Sequence, residues 1–204
     1  MNAEQGKNIE QAIDSLCNNL VWCRGYFMSL KALHEVAKSS PSSLDCYPQF
    51  VSCLYHGLFD CLFIKIHNFF DRSKGACGFP HLFTILRRYC AEEGPLLIQI
   101  KTDETRFKNE DNIEKIKKWR DGISAHFTQD YRQSDFFLLN RLHLSELENL
   151  LNLIEETVGY YSLSILKRVN DTRHPSDGII KEMETLFLPR IEQGVILRGN
   201  KGQN

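Results

Sequence analysis

Ile9, Ile13, Leu16, Leu20, Cys23, Phe27 and Leu30 recur at alternating steps of four and three. An α-helix turns once in about 3.6 residues, so this spacing lays all seven side chains along one stripe. A strand cannot meet the pattern, because its successive side chains point to opposite faces. The stripe predicts one long amphipathic helix that ends before Ser39-Ser40-Pro41. Val51, Leu54, Leu58, Cys61, Leu62, Ile66, Phe69 and Phe70 give a second helix, about Pro48 to Asp71, a broad apolar face. That face predicts the most buried helix of the chain.

Arg72 to Gly78 reads as a loop with two glycines, and Pro80 suits the first turn of a following helix. Leu82, Phe83, Leu86 and Tyr89 mark that short helix, which Gly94-Pro95 stops. Leu96 to Asn112 fits either a helix start or an irregular connection. From Asn112 a clear stripe returns as Ile113, Ile116, Ile123 and Phe127, with Arg120 in register between Ile116 and Ile123. After a polar connection, Thr128 to Ser134, Ser145 and Glu148 form a capping-box pair. Leu147, Leu151, Ile154, Val158, Tyr161 and Ile165 then predict a last long helix. Asn170 to Asp177 reads as a turn, Ile179 to Leu188 as a short helix, and Arg198 to Asn204 as a frayed tail.

Four long amphipathic helices predict an all-α, up-and-down four-helix bundle with short additional helices. The 204 residues hold only 12 Gly and 6 Pro, too few for a turn-rich all-β chain. One bundle over residues 1–170, with residues 171–204 as an appendage rather than a second domain, is the expected organisation. The net charge of −1 excludes a globally basic nucleic-acid coat, so any such binding must use a local patch. The most apolar stretch, Leu58 to Phe70, is interrupted by Asp60, Lys65, His67 and Asn68, so a membrane span is not expected. Met1 to Lys7 lacks a basic-then-apolar signal, and a cytoplasmic protein is expected. The seven cysteines are odd in number, and no C-x-x-C pair occurs. Cys17, Cys23, Cys53 and Cys61 lie among apolar residues and are expected as buried, reduced thiols.

Phosphate-cradling glycine motifs and H-E-x-x-H are absent, as is the Glu-x-x-His pair of di-iron bundles. No metal or cofactor is therefore expected. His56 and His67 lack carboxylate partners at metal spacing and read as ordinary core or surface histidines. The same reading holds for His34, His81 and His143. One segment differs: Lys115-Ile116-Lys117-Lys118-Trp119-Arg120-Asp121-Gly122-Ile123-Ser124-Ala125-His126. A guanidinium cannot shed its charge, so Arg120 on an apolar seam calls for an anion or an interface. Lys115, Lys117, Lys118 and Arg120 concentrate positive charge suited to an anionic ligand. His126 follows within reach and titrates near neutrality.

On a straight α-helix, residues six apart point about 120° from each other. Arg120 and His126 therefore converge only if the helix bends at Gly122 or if two chains pair. Arg168 and His174 show the same offset without chemical context. The bland alternative is Arg120 paired with Asp121 or another carboxylate, beside an unrelated histidine. Trp119 reads as core or interface.

Arg120-Asp121-Gly122-Ile123-Ser124-Ala125-His126 resembles the R-x(4–6)-H motif of the HEPN superfamily (higher eukaryote and prokaryote nucleotide-binding), in which a polar residue often follows the arginine. The Trp-Arg-Asp…Ala-His form, with Phe69-Phe70-Asp71-Arg72 and the short Leu-rich helix after it, is most similar to the U-type abortive-infection branch. The resemblance spans about residues 5 to 168. It implies an all-α bundle and a homodimer whose two motifs face one another across a cleft. It further implies a metal-independent endoribonuclease of a defence or toxin–antitoxin kind. RNA and an antitoxin protein are the implied partners. In that reading His126 is the general acid or base, Arg120 clamps the phosphate and Asp121 orients one of them. Lys115, Lys117 and Lys118 attract the RNA backbone. The alternative is a HEPN-like module without catalysis that binds a protein or a nucleotide.

Overall fold

The computed structural model describes residues 3–39, 47–89, 94–125, 141–169, 178–179 and 181–182. Among the described residues every regular element is helical. The elements are α1 (Ala3–Ser39), α2 (Pro48–Asn68), α3 (Phe79–Arg87), α4 (Pro95–Lys108), α5 (Asp111–Trp119) and α6 (Leu144–Tyr161). Two π-helical turns, Arg120–Ala125 and Ser162–Leu166, extend α5 and α6.

α1 follows its stripe: Ile9, Ile13, Leu16, Leu20, Cys23, Phe27 and Leu30 are all buried. The stretch that fitted either a helix or a connection is α4, with Pro95 at its start, where a missing N–H costs nothing. The Ser145–Glu148 capping pair is displaced. α6 begins at Leu144, and the His143 N–H donates to the Glu146 carboxylate at 2.6 Å. Its end is set by Lys167, whose φ of 56° is the left-handed turn that closes many helices.

The chain divides into two compact units. The first joins Met1–Cys23 to Leu62–Thr172; the second joins Arg24–Cys61 to Arg173–Asn204. An aromatic cluster centres the first unit. The Phe79 and Phe107 rings lie 4.8 Å apart, Phe70 and Phe107 5.1 Å, Phe69 and Phe79 5.7 Å, and Phe83 and Tyr161 5.5 Å. Leu147, Leu150, Leu151, Ile154 and Val158 of α6 are buried in the same unit. Arg168 secures the end of that segment to α1 through Glu10, at 3.2 Å, and Asp14. In the second unit Ala32, Leu33 and Val36 pack against Val51, Leu54 and Ile179.

Two expectations are corrected. α2 is not the most buried helix: α6 buries eight residues, and α2 buries four. In α2 only Leu62, Phe63, Ile66 and His67 are buried, while Phe50 and Tyr55 are exposed. Cys53 and Cys61 are exposed free thiols, Cys17 is half-buried and Cys23 is buried. At about 100° per residue, Cys53 lies opposite Leu62 on the α2 surface, and Cys61 a quarter-turn from it. Cys46 and Cys90 lie outside the described residues. By length and a mean hydropathy of 1.2, α2 also passes the test for a membrane-crossing helix, although charges interrupt it.

Candidate functional site

α5 places the arginine. The Glu110 carboxylate caps the helix by accepting the Asn112 backbone N–H at 3.3 Å and its side-chain amide at 2.8 Å. Ile116 is buried, and Trp119 meets the edge of Phe63 on α2 with centroids 5.7 Å apart. These two contacts fix the rotation of α5 against α2. Arg120 then arrives beside the last turn of α2.

There, among the described residues, the guanidinium has two partners. Nε donates to Asp121 Oδ1 at 2.7 Å, and Nη2 lies 2.5 Å from the same oxygen. Nη1 lies 3.1 Å from His67 Nδ1. Arginine only donates, so Nδ1 is the accepting nitrogen and the proton of the neutral ring sits on Nε2. The guanidinium carries five N–H groups. Among the described residues Asp121 and His67 use three of them. The side chain stays 30% exposed.

His67 is 8% exposed. Burial, and then the Arg120 charge, push its pKa below the ordinary histidine value, against the opposing pull of Asp71 and Asp121. The ring is therefore held neutral as an acceptor. Asp71 follows four residues later in the turn after α2. Its Oδ1 accepts the Ser73 backbone N–H at 2.8 Å, and this bond, with smaller help from the Ser73 side chain and the Arg120 charge, keeps the carboxylate ionised below its usual range. Positive Arg120 and Lys117 and negative Asp71 and Asp121 thus surround one neutral imidazole.

Backbone winding changes at the same place. Arg120–Ala125 is π-helical, a rare wider turn that is frequent at functional sites. The divergence expected between Arg120 and His126 holds for α winding, and that winding stops at Trp119. Gly122, the residue expected to permit a bend, is buried within the π turn.

Of the residues singled out in the sequence, Arg120 and Asp121 come together. His126 lies outside the described residues, as does His174. Lys115 is tied to Glu146 at 3.5 Å and to the Asn112 side-chain oxygen at 3.3 Å. Lys117 and Lys118 are exposed. Trp119 is a packing residue. The bland pairing of Arg120 with Asp121 is therefore present, and it is accompanied by His67, which sequence reasoning passed over. The signal for His67 was available. It adjoins Ile66 on the buried stripe of α2, where a polar ring requires a partner.

The AbiU2 family model, of the HEPN class, matches residues 6–182. The chain belongs to this abortive-infection family. The HEPN-like all-α reading of its fold holds with it. No curated protein and no solved structure matches the chain significantly. Within this HEPN domain the Arg120–Asp121 pair is the part of the R-x(4–6)-H block whose geometry is described.

Proposed function

We propose that this HEPN domain is a metal-independent endoribonuclease used in phage defence in the cytoplasm, acting as a homodimer with the two motifs facing across a cleft. The observation that carries the reading is the held guanidinium of Arg120. Asp121 grips its Nε–Nη2 edge and His67 its Nη1, so the fork is preset, and this reading assigns its two remaining N–H groups to phosphate oxygens. Two clamps fix the side chain before substrate arrives, which is the preorganisation that charge stabilisation needs.

The chemistry uses RNA's own 2′-hydroxyl. A base removes its proton as the 2′-oxygen bonds to phosphorus. The phosphorus–O5′ bond breaks, and an acid protonates the leaving oxygen. His126 supplies the proton transfer and Arg120 neutralises charge gathering on the phosphoryl oxygens. Lys117 and Lys118 draw in the RNA backbone with a salt-dependent contribution. Lys115, held by Glu146, contributes less than the sequence alone suggests. An antitoxin protein would act by covering this surface.

A second reading is favoured by one observation: Asp121 already neutralises Arg120. Binding of RNA or of a protein partner without turnover needs only the remaining donors.

Incubation with single-stranded RNA in EDTA tests both. The nuclease reading expects fragments ending in 2′,3′-cyclic phosphate, lost in Arg120→Ala and in His126→Ala. Intact RNA with wild-type dimer across pH and salt overturns it. Arg120-dependent binding with no fragments supports the second reading instead.

A further inference from the structure

A cleft of about 540 Å3 opens in the first unit beside the Arg120 cluster. Its volume lies within the roughly 300–1,000 Å3 usual for small-ligand sites. α1, the end of α2 and the loop from Asp71 to Cys77 line it. The loop is held by the Ser73-to-Asp71 bond, an Ala76-to-Ser73 backbone bond of 3.1 Å and Gly75 at a φ of 90°, a conformation that favours glycine. The cleft wall is fixed where the Asn19 amide donates to the Lys65 carbonyl at 2.8 Å.

Three kinds of group meet there. Trp22 lines the cleft and is 50% exposed, so part of its indole surface is accessible there. Asn18 and Asn68, both exposed, bring amides that donate and accept. Lys65 and Lys74 bring positive charge. An aromatic face stacks a base, amides read its polar edge and ammonium groups meet phosphates, which is the combination single-stranded nucleic acid requires. A base in a duplex offers no free face to such a platform.

Asp71 joins the cleft to the arginine. It lines the cleft together with Asn68, the neighbour in sequence of His67, whose Nδ1 lies 3.1 Å from Arg120 Nη1. A chain whose phosphate rests on Arg120 therefore has the cleft within its immediate path.

From this continuity we infer that the Trp22 cleft binds an unpaired nucleobase of single-stranded RNA next to the phosphate held by Arg120, with Trp22 as the stacking platform. The inference rests on the reading of RNA as the ligand. It adds a subsite that selects unpaired RNA.

The test is independent of turnover. The chain has two tryptophans, so Trp119→Phe leaves Trp22 as the sole indole reporter. The difference between wild type and Trp22→Phe gives the same signal without altering Trp119. A short single-stranded RNA with 2′-O-methyl groups, which cannot be cleaved, is titrated into each. Saturable quenching of Trp22 is expected, with none from the same sequence as a duplex. Trp22→Ala should bind roughly 5- to 150-fold more weakly, the range of one lost stacked base. Lys74→Glu, on the exposed loop, should also weaken binding.

Unchanged Trp22 emission on RNA binding, or unchanged affinity in Trp22→Ala, overturns the inference, as does failure to bind RNA at all. Cleavage of natural RNA without Trp22 quenching removes the subsite alone. Quenching without cleavage removes the nuclease reading and supports the subsite.

Discussion

Gly78 carries a steric burden that its place in a loop does not reveal. A Cβ at this position would lie 2.6 Å from the carbonyl oxygens of both Asn68 and Phe69, and 2.9 Å from the Phe69 carbonyl carbon. Ordinary contacts begin at 3.4 Å, so each oxygen is about 0.8 Å too close. The obstructing atoms are backbone at the end of α2 and cannot swing aside as a side-chain tip does. The φ of −83° suits any residue, so the cost is steric rather than conformational. The Phe79 N–H to Phe69 carbonyl bond of 2.7 Å holds the two segments together across the gap. Overpacking of this kind costs about 1–3 kcal/mol. For a chain of this size each kcal/mol shifts the melting temperature by roughly 2–4 °C. Gly78→Ala should therefore lower Tm by about 2–12 °C, measured by circular dichroism or calorimetry. Gly57 is the opposing control. It lies mid-helix in α2, and a Cβ added there would meet nothing within 4 Å. Gly57→Ala should raise stability by up to about 1 kcal/mol through helix propensity. A Gly78→Ala melt at or above wild type, beside a Gly57→Ala gain, would refute the steric reasoning.

The remaining expectations concern buried polar groups and acid. Tyr161 donates to Asp103 Oδ2 at 2.7 Å, and Asp103 is only 3% exposed. Burial and this carboxylate push the phenol pKa far up, so the hydroxyl stays a donor. Tyr161→Phe should cost about 1–3 kcal/mol in urea unfolding, because Oδ2 is left buried and unpaired while Gln99 still holds Oδ1; an unchanged midpoint would remove that account. His67 has a folded pKa below its unfolded value, so the unfolded chain binds the proton first as pH falls. Stability should decline from the ordinary histidine range down towards the folded pKa, and again at lower pH as the depressed Asp71 carboxylate is protonated. His67→Asn keeps an acceptor for Arg120 without titrating, and should flatten the first decline in a denaturation series spanning roughly pH 5 to 8; an unaltered slope would show that His67 is not its source.

Helix α1 was legible residue by residue, since each member of its seven-residue stripe is buried. The short helix after the loop was equally plain in Leu82, Phe83 and Leu86, though Tyr89 turned outward. The α2 stripe misled because apolar spacing records which residues can share a face and not what covers it. Its first members, Val51, Leu54 and Leu58, are only half-buried, and Cys61 is exposed. The family motif made Arg120 and Asp121 visible. His67 stayed hidden because the contact joins residues 53 positions apart, and no local pattern encodes that.

Periodicity and scarce turn residues thus determined an all-α chain, and the Arg120–His126 block carried its resemblance to the HEPN family. These are properties of short windows, where side-chain spacing and helix geometry act directly. Tertiary structure decided the arginine's environment. The packing of Trp119 on Phe63 brought α5 against α2, and the backbone widened into a π turn from Arg120. The guanidinium came to rest between Asp121 and a buried imidazole, beside the Trp22 cleft. Those relations depend on how distant segments meet, because desolvation and hydrogen-bond partnership arise only once the helices are packed.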